Sequence, residues 1–128
     1  MEQAVAKSIL LVEDQQNFLT VLAMELRNCS NKFCVLTAEN GDRALKVLES
    51  AYVDLVVTDL KMAVMDGFDL IAHMKREYPT IPVIVISSFL SPESEARLRA
   101  LGVSQYIDKH CFSVSTLEEM ILKNWQGV

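Results

Sequence analysis

The sequence predicts an α/β domain in which a five-stranded parallel sheet carries helices on both faces. Short apolar runs alternate with stretches of helical periodicity along the 128 residues, which is the pattern of repeated βα units. Two of the runs, at residues 55–58 and 83–86, are continuously apolar. Because strands of that kind are covered on both sides, these two should lie in the middle of the sheet.

The predicted elements follow in order along the chain. Strands are expected at residues 8–12, 33–37, 55–58, 83–86 and 105–107. Apolar residues recur at helical spacing in four of the stretches between or after them, at Phe18, Val21, Leu22 and Leu26, at Ala44, Leu45 and Leu48, at Leu70, Ile71 and Met74, and at Leu117, Ile121 and Trp125. These stripes are interpreted as core faces, and the last helix is expected to run almost to residue 128.

A further helix is predicted at residues 91–101, with Ser91 and Pro92 at its start and Gly102 as its stop signal. Its apolar stripe is thin and consists of Ala96, Leu98 and Leu101. This helix should therefore pack less firmly than the others.

Composition and charge exclude several classes of protein. A net charge of −5 without clustered Lys or Arg argues against nucleic-acid binding by this chain. No apolar run reaches the ~18 residues of a membrane span and no signal peptide is visible, so a cytoplasmic location is expected. Three cysteines without a CxxC pair indicate neither disulfides nor a zinc site. They are expected to be reduced thiols that are partly or wholly buried.

Polar residues of matching chemistry follow successive predicted strands. Open parallel sheets bind ligands at the carboxyl ends of their strands. The residues there are Glu13 and Asp14 after the first strand, Asp59 after the third, Ser87 and Ser88 after the fourth, and Lys109 after the fifth. Crowded carboxylates repel one another unless a cation lies among them, and Mg²⁺ prefers oxygen ligands. The acids could instead cap helices and Lys109 could be a solvated lysine, but their joint placement favours one shared site.

Five stretches resemble the receiver domains of two-component response regulators. They are LLVED (10–14), TAENGDRAL (37–45), DLVVTDLKMAVMDGFDLI (54–71), PVIVISS (82–88) and GVSQYIDK (102–109). The similarity extends over nearly the whole chain, in the right order and spacing. It implies a flavodoxin-like, doubly wound (βα)5 fold and one receiver domain over residues 1–128.

The resemblance also implies a role for individual residues. Asp59 would accept a phosphoryl group from a histidine kinase or phosphotransfer protein, assisted by Ser87 and Lys109. The implied Mg²⁺ ligands are Glu13, Asp14, Asp59 and the backbone carbonyl of Lys61. Ser87 and Tyr106 would form the switch that alters the surface presented to a downstream protein, which the sequence does not identify. Such a domain is a phosphoacceptor that assists its own phosphorylation and dephosphorylation, not an enzyme, and Asp66 would only start the third helix.

The sequence departs from the family pattern in three respects. Ala63 replaces a common proline, and Lys61 and Phe89 occupy two positions that tune the lifetime of the acyl phosphate. After Lys109 the family has proline and then an aromatic residue, whereas this chain reads Lys109-His110-Cys111-Phe112. A cis bond without proline costs about 2.5 to 4 kcal/mol, so the bond between Lys109 and His110 is predicted to be trans. His110 is interpreted as a solvated loop residue rather than a phosphoryl relay, and His73 has no functional interpretation.

Three alternatives to this interpretation remain. The chain could be an adaptor of the same fold with a decayed site, although the acids, Ser87 and Lys109 are intact. A hydrolase using Asp59 as nucleophile would need a second acid beside it, where the sequence has Leu60 and Lys61. The chain could also be a receiver fragment of a longer regulator with an effector domain.

Overall fold

The structure is a computed structural model that describes residues 6–29, 32–88 and 90–125. Within these ranges five strands alternate with five helices, as the sequence predicts. The strands are β1 (Lys7–Val12), β2 (Phe33–Ala38), β3 (Leu55–Thr58), β4 (Val83–Ser87) and β5 (Gln105–Asp108). The helices are α1 (Gln16–Cys29), α2 (Gly41–Ser50), α3 (Gly67–Glu77), α4 (Pro92–Ala100) and α5 (Val114–Lys123). No helix among the described residues is long and apolar enough to cross a membrane.

The strands form one parallel sheet in the order β2-β1-β3-β4-β5. The chain moves to one side of β1 to form β2 and to the other side to form β3, β4 and β5. The strand order therefore reverses between β1 and β3, whose last residues, Val12 and Thr58, are paired. The predicted fold is confirmed, and ligand sites of such sheets lie at this point of reversal.

Alternate residues of the central strands supply two separate cores. In β1, Ile9 and Leu11 pack with the buried faces of α1 and α5. Leu10 and Val12 point the other way and pack with residues of α2, α3 and α4. All four are at most 2% exposed, which accounts for the unbroken apolar pattern of the strand.

Four helices begin with a side chain that accepts a hydrogen bond from the backbone N–H three residues later. These N-cap residues are Asn40, Asp66, Ser91 and Ser113. The expected helix-starting role of Asp66 and Ser91 is thereby confirmed. Gly102 has a φ of 83° directly after the last turn of α4, a conformation that favours glycine at a helix stop.

Three predictions about helices are wrong. Val21 of α1, predicted as part of a core face, is 48% exposed. The last helix ends at Lys123 and does not run almost to residue 128; residues 126–128 lie outside the described part. The side-chain amide of Asn124 donates to the carbonyl of Met120 at 3.0 Å and so competes for the final turn. Ala96 of α4 does not belong to the buried stripe, since it is exposed. Leu98 is fully buried and Leu101 is half-buried.

The prediction that the cysteines are buried is also wrong. Cys29, Cys34 and Cys111 are all exposed and form no disulfide. Cys29 is the last residue of α1, Cys34 lies on the edge strand β2, and Cys111 lies in the loop before α5. These are positions at the rim of the fold, where a small apolar side chain does not reach either core.

Candidate functional site

Asp59 lies directly after β3, and its side chain is held from two directions. Its backbone N–H donates to the carbonyl of Val12 at 3.1 Å, which ties the residue to the end of β1. The N–H of Leu60 donates to Oδ1 at 2.6 Å, and the ammonium of Lys109 donates to Oδ2 at 3.1 Å. Asp59 is only 6% exposed. The result is a buried carboxylate with a defined orientation at the point where the strand order reverses.

Glu13 is the second buried carboxylate of the site and is 4% exposed. Its Oε1 accepts a hydrogen bond from Lys109 Nζ at 2.7 Å, and its Oε2 accepts one from the Gln15 N–H at 2.9 Å. Burial raises the pKa of the Glu13 carboxyl above its ordinary value, although both hydrogen bonds oppose the effect. Its ionised form is therefore less stable here than it would be in water.

Lys109 joins the two buried acids. Besides Glu13 and Asp59, its ammonium donates to Oε1 of Gln15 at 2.8 Å, and its backbone N–H donates to the Ser87 carbonyl at 3.0 Å. Burial by itself acts to lower the pKa of Lys109, but the hydrogen bonds and charges of Glu13 and Asp59 outweigh it and raise that pKa above its ordinary value. The described part of the chain contains no cis peptide bond, so the predicted trans bond after Lys109 is confirmed.

An aromatic pair lies against the same ammonium. Lys109 Nζ is 4.4 Å from the centroid of the Phe18 ring, within the range of a cation–π contact. The Phe112 ring packs edge-on against Phe18, with 5.8 Å between centroids. Phe112 belongs to the altered loop after Lys109, so this loop is anchored on the first turn of α1.

Asp14 and Lys61 lie on the exposed side of the site. Oδ2 of Asp14 accepts a long hydrogen bond of 3.3 Å from the N–H of Ala63, which places Asp14 against the loop that carries Lys61. In the described residues, no group of three or more acidic, histidine or cysteine side chains is gathered closely enough to hold a metal ion. The ammonium of Lys109 instead lies between Glu13 and Asp59.

The residues of the site nevertheless fit Mg²⁺ in their chemistry. Three carboxylates follow strand ends at one edge of the sheet, and such oxygen donors suit a hard divalent cation. Glu13 and Asp59 already share one cation, the ammonium of Lys109. The hydrogen bond from Ala63 joins Asp14 to the loop that also carries Lys61, whose carbonyl is the remaining expected donor.

The predicted switch residues lie on neighbouring strands. Ser87 is the last residue of β4 and is fully buried, whereas it was expected just after that strand. Tyr106 lies in β5 opposite Val85 and is half-buried against the core shared by α2, α3 and α4. Phe89, one of the two lifetime-tuning positions, lies outside the described residues.

The two histidines take no part in the described hydrogen bonds of the site. His110 is exposed, and its backbone N–H donates to Oδ1 of Asp108 at 2.8 Å. His73 lies within α3. The loop between Asp59 and α3 contains Val64 at a φ of 71°, which is strained for a β-branched residue.

Two residues of the site were missed by the sequence interpretation. Gln15 had no role although it follows directly after Glu13 and Asp14, and Phe18 was interpreted only as part of the core stripe of α1. The available signal was that both residues lie within a few positions of the acids, where β1 leads into α1. What the turn does with the Gln15 side chain depends on the position of Lys109, which lies 94 residues further along the chain.

Comparison with known proteins identifies the class. Residues 9–122 match the response regulator receiver domain family, and the chain belongs to that family. It is a receiver domain of the kind found in two-component response regulators.

Individual relatives agree with this assignment. The chain is 36% identical over 101 residues to the transcriptional regulatory protein GlrR of Escherichia coli, a match that covers 79% of this chain and 22% of that protein. The chain thus matches about a fifth of the length of this relative.

Two solved structures show the same fold. Response regulator TrrA of Thermotoga maritima, in complex with Mg²⁺ and BeF, is 28% identical with a TM-score of 0.80, and the match covers 91% of this chain and 97% of that one. The chemotaxis protein CheY4 of Vibrio cholerae is 24% identical with a TM-score of 0.85, and the match covers 93% of this chain and 98% of that one.

Proposed function

We propose that Asp59 accepts a phosphoryl group from a histidine kinase or phosphotransfer protein, and that the chain works as a phosphorelay switch. One observation carries the proposal. The Asp59 carboxylate is buried at the point where the strand order reverses, and its Oδ2 lies 3.1 Å from the ammonium of Lys109. A carboxylate there is oriented for attack and has a cation at hand to balance the charge of the incoming group.

The chemistry asks little of the nucleophile and much of its surroundings. An oxygen of Asp59 forms a bond to phosphorus as the bond from phosphorus to the donor histidine breaks, which leaves an acyl phosphate and a neutral imidazole. Phosphoryl transfer depends mainly on positioning and on stabilising charge at the equatorial oxygens. The Leu60 N–H fixes the carboxylate orientation, and Lys109 supplies positive charge.

Mg²⁺ is proposed as the cofactor, held by the carboxylates of Glu13, Asp14 and Asp59 and by the carbonyl of Lys61. When bound, it would neutralise the acids and the phosphoryl oxygens. The relative TrrA, which was solved in complex with Mg²⁺ and BeF, supports this proposal. For Lys109, such binding means sharing its two carboxylate partners with a second cation.

Ser87 and Tyr106 are proposed as the switch. Ser87 ends β4 at the same edge as Asp59, so its hydroxyl can donate to a phosphoryl oxygen after a small movement. Such a movement would open space for the half-buried ring of Tyr106 on the next strand. The surface of α4, β5 and α5 would then change as the population shifts between two packed states.

The wider assignments follow from the same proposal. We assign one receiver domain to residues 1–128, a cytoplasmic location, and partners that are a phosphodonor protein and an unidentified downstream protein. The chain itself would act as a phosphoacceptor and not on a separate substrate. Because it matches only a fifth of GlrR, an effector domain in the whole protein is compatible with this role.

The decisive experiment is intact mass measurement after incubation with acetyl phosphate. Wild type should gain one phosphoryl group with Mg²⁺ and none with a chelator, and Asp59→Asn should gain none. Asp42→Asn, which removes an exposed aspartate of α2, should be labelled like wild type. Labelling of Asp59→Asn to the wild-type level would refute the site, and an unlabelled wild type would support the adaptor alternative.

A further inference from the structure

We infer that Gln15 is a positioning residue that holds Lys109 at the phosphorylation site. This inference rests on the proposed function, because it assigns a role to a neighbour of the proposed catalytic lysine. Oε1 of Gln15 accepts a hydrogen bond from Lys109 Nζ at 2.8 Å, close to the 2.7 Å of the bond from the same ammonium to Glu13. No motif quoted from the sequence assigned Gln15 a function.

The ammonium of Lys109 has three N–H donors and three acceptors around it. Two acceptors, Glu13 and Asp59, are charged, and the third, Gln15, is neutral. The lysine side chain is only 10% exposed, so its hydrogen bonds are made mainly to protein groups. Gln15 therefore completes the hydrogen bonding of the ammonium.

Because the Gln15 amide is neutral, its role differs from that of the two carboxylates. A divalent cation or a phosphoryl group that binds at the site would change the hydrogen bonds between Lys109 and its two charged partners. These partners, Glu13 and Asp59, are carboxylates at the reactive edge. The amide of Gln15 carries no charge and competes weakly for such a cation. It can hold the ammonium while Glu13 and Asp59 change partners.

The backbone of Gln15 strengthens this link. Its N–H donates to Oε2 of Glu13 at 2.9 Å while its side chain accepts from Lys109. One residue thus orients both members of the closest ion pair in the site, which measures 2.7 Å.

The loop after Lys109 makes such support necessary. The sequence there is Lys109-His110-Cys111-Phe112, without a proline to stiffen the chain. Lys109 is aimed instead by contacts at the start of α1, namely the amide of Gln15, directly before the helix, and the Phe18 ring in its first turn. Removal of the amide should lower the population in which Lys109 contacts the two acids. It should not unfold the protein, because Gln15 is an exposed residue.

The first test observes the ammonium directly and needs no phosphorylation. Nitrogen-15 NMR of lysine side chains at low temperature should show a slowly exchanging Lys109 signal, assigned by its loss in Lys109→Met. Gln15→Met should broaden or remove that signal, whereas Gln16→Met, a matched change at the neighbouring glutamine that contacts Glu39, should preserve it. Either an unchanged signal in Gln15→Met or no slow signal in wild type overturns the inference.

The second test measures the rate of phosphorylation by acetyl phosphate at saturating Mg²⁺. Gln15→Met should be slower by about tenfold, as expected for the loss of one hydrogen bond to a charged group, and Gln16→Met should be unchanged. In a Lys109→Met background the Gln15 change should have less than about a twofold effect, because Gln15 acts through the lysine. An equal loss in both backgrounds, or none in either, contradicts the role.

Misfolding of a variant and failure of the proposed function can each be distinguished from failure of the role of Gln15. Circular dichroism verifies that each variant is folded, and Gln15→Ala replaces Gln15→Met if the latter is not. If wild type is not phosphorylated while the NMR result stands, the proposed function fails and the positioning of Lys109 by Gln15 survives. If wild type is phosphorylated and the NMR signal ignores Gln15, the inference fails alone.

Discussion

Glu13 is buried at the end of β1, although water solvates an ionised glutamate well. Lys109 and the Gln15 N–H satisfy its two oxygens, yet burial still raises its pKa. A side chain chosen for stability alone would not be an acid at this position. The proposed role of Glu13 in binding a cation would account for this cost.

Glu13→Gln should therefore stabilise the protein without Mg²⁺. A raised pKa means that the folded state holds the Glu13 proton more tightly than the unfolded state does. The contribution of Glu13 to the free energy of unfolding of wild type should then fall as pH rises above the ordinary pKa of 4.5. Chemical denaturation of both proteins in a chelator, from pH 4 to 7, should show the advantage of Glu13→Gln growing with pH.

The control for this measurement is Glu25→Gln, which changes an exposed glutamate of α1. Its stability relative to wild type should stay nearly constant over the same range. A Glu13→Gln protein that is less stable than wild type at pH 7 would show that the ion pair with Lys109 outweighs the cost of burial.

At the scale of elements, the start of α3 packs against the proposed phosphorylation site. The N–H of Gly67 donates to the carbonyl of Leu60 at 2.8 Å. A Cβ at Gly67 would overlap the carbonyl oxygen of Asp59 and lie 2.8 Å from the Cα of Leu60. Only glycine lets this helix begin so close to the backbone that orients Asp59.

Gly67→Ala should consequently damage both folding and function. Overpacking of this kind destabilises by about 1 to 3 kcal/mol, and displacement of Asp59 should slow phosphorylation by about tenfold or more. Gly102→Ala is the matched control, because its positive φ makes it destabilising by about 1 kcal/mol at a position far from the acids. It should lose stability but keep the phosphorylation rate, and equal rates for both variants would refute the link.

Among the described helices, α4 has the fewest buried residues. Leu98 is its only fully buried residue in the described structure, and the Arg97 guanidinium stacks over the Phe68 ring at 3.8 Å. Few buried contacts lower the free energy of local opening. This helix adjoins β5, which carries Tyr106.

We therefore predict that phosphorylation changes the surface of α4, β5 and α5. Amide spectra with and without Mg²⁺ and beryllium fluoride should show the largest shifts there and at Tyr106, apart from residues next to Asp59. Hydrogen exchange in the unphosphorylated state should be fastest, among the helices, in α4. Changes confined to residues 18–26 of α1 would contradict this prediction.

On the scale of the whole molecule, the charged groups of the site come from the ends of three strands. Lys109 after β5 contacts Glu13 after β1, across 96 residues of chain, and it also contacts Asp59 after β3. The charged groups of the site therefore hold distant elements together. Ligands that bind them should stabilise the fold as a unit.

Mg²⁺ should accordingly raise the free energy of unfolding. A ligand at ten times its dissociation constant stabilises by about 1.4 kcal/mol if it binds only the folded state. Thermal unfolding in a Mg²⁺ titration should show this rise in wild type and a smaller one in Asp14→Asn. Asp42→Asn should respond like wild type, and an equal response in Asp14→Asn would remove Asp14 from the proposed ligands.

The sequence by itself determined the order and type of the elements and the edge at which the acids gather. Strand positions such as residues 55–58 can be predicted because burial on both faces imposes an unbroken apolar run. Helix starts such as Ser91 can be predicted because capping depends on residues that are close in the sequence. The placement of Glu13, Asp14 and Asp59 at strand ends follows from those boundaries and from the topology of parallel sheets.

Only the tertiary structure decided how the side chains meet. The contact of Lys109 with Gln15, the exposure of the cysteines and the end of α5 at Lys123 depend on which groups lie across space. Hydrogen bonds between residues 94 to 96 positions apart leave no periodic signal in the chain. Periodicity reports burial along one element, whereas the partners of a polar group are set by the packing of several elements.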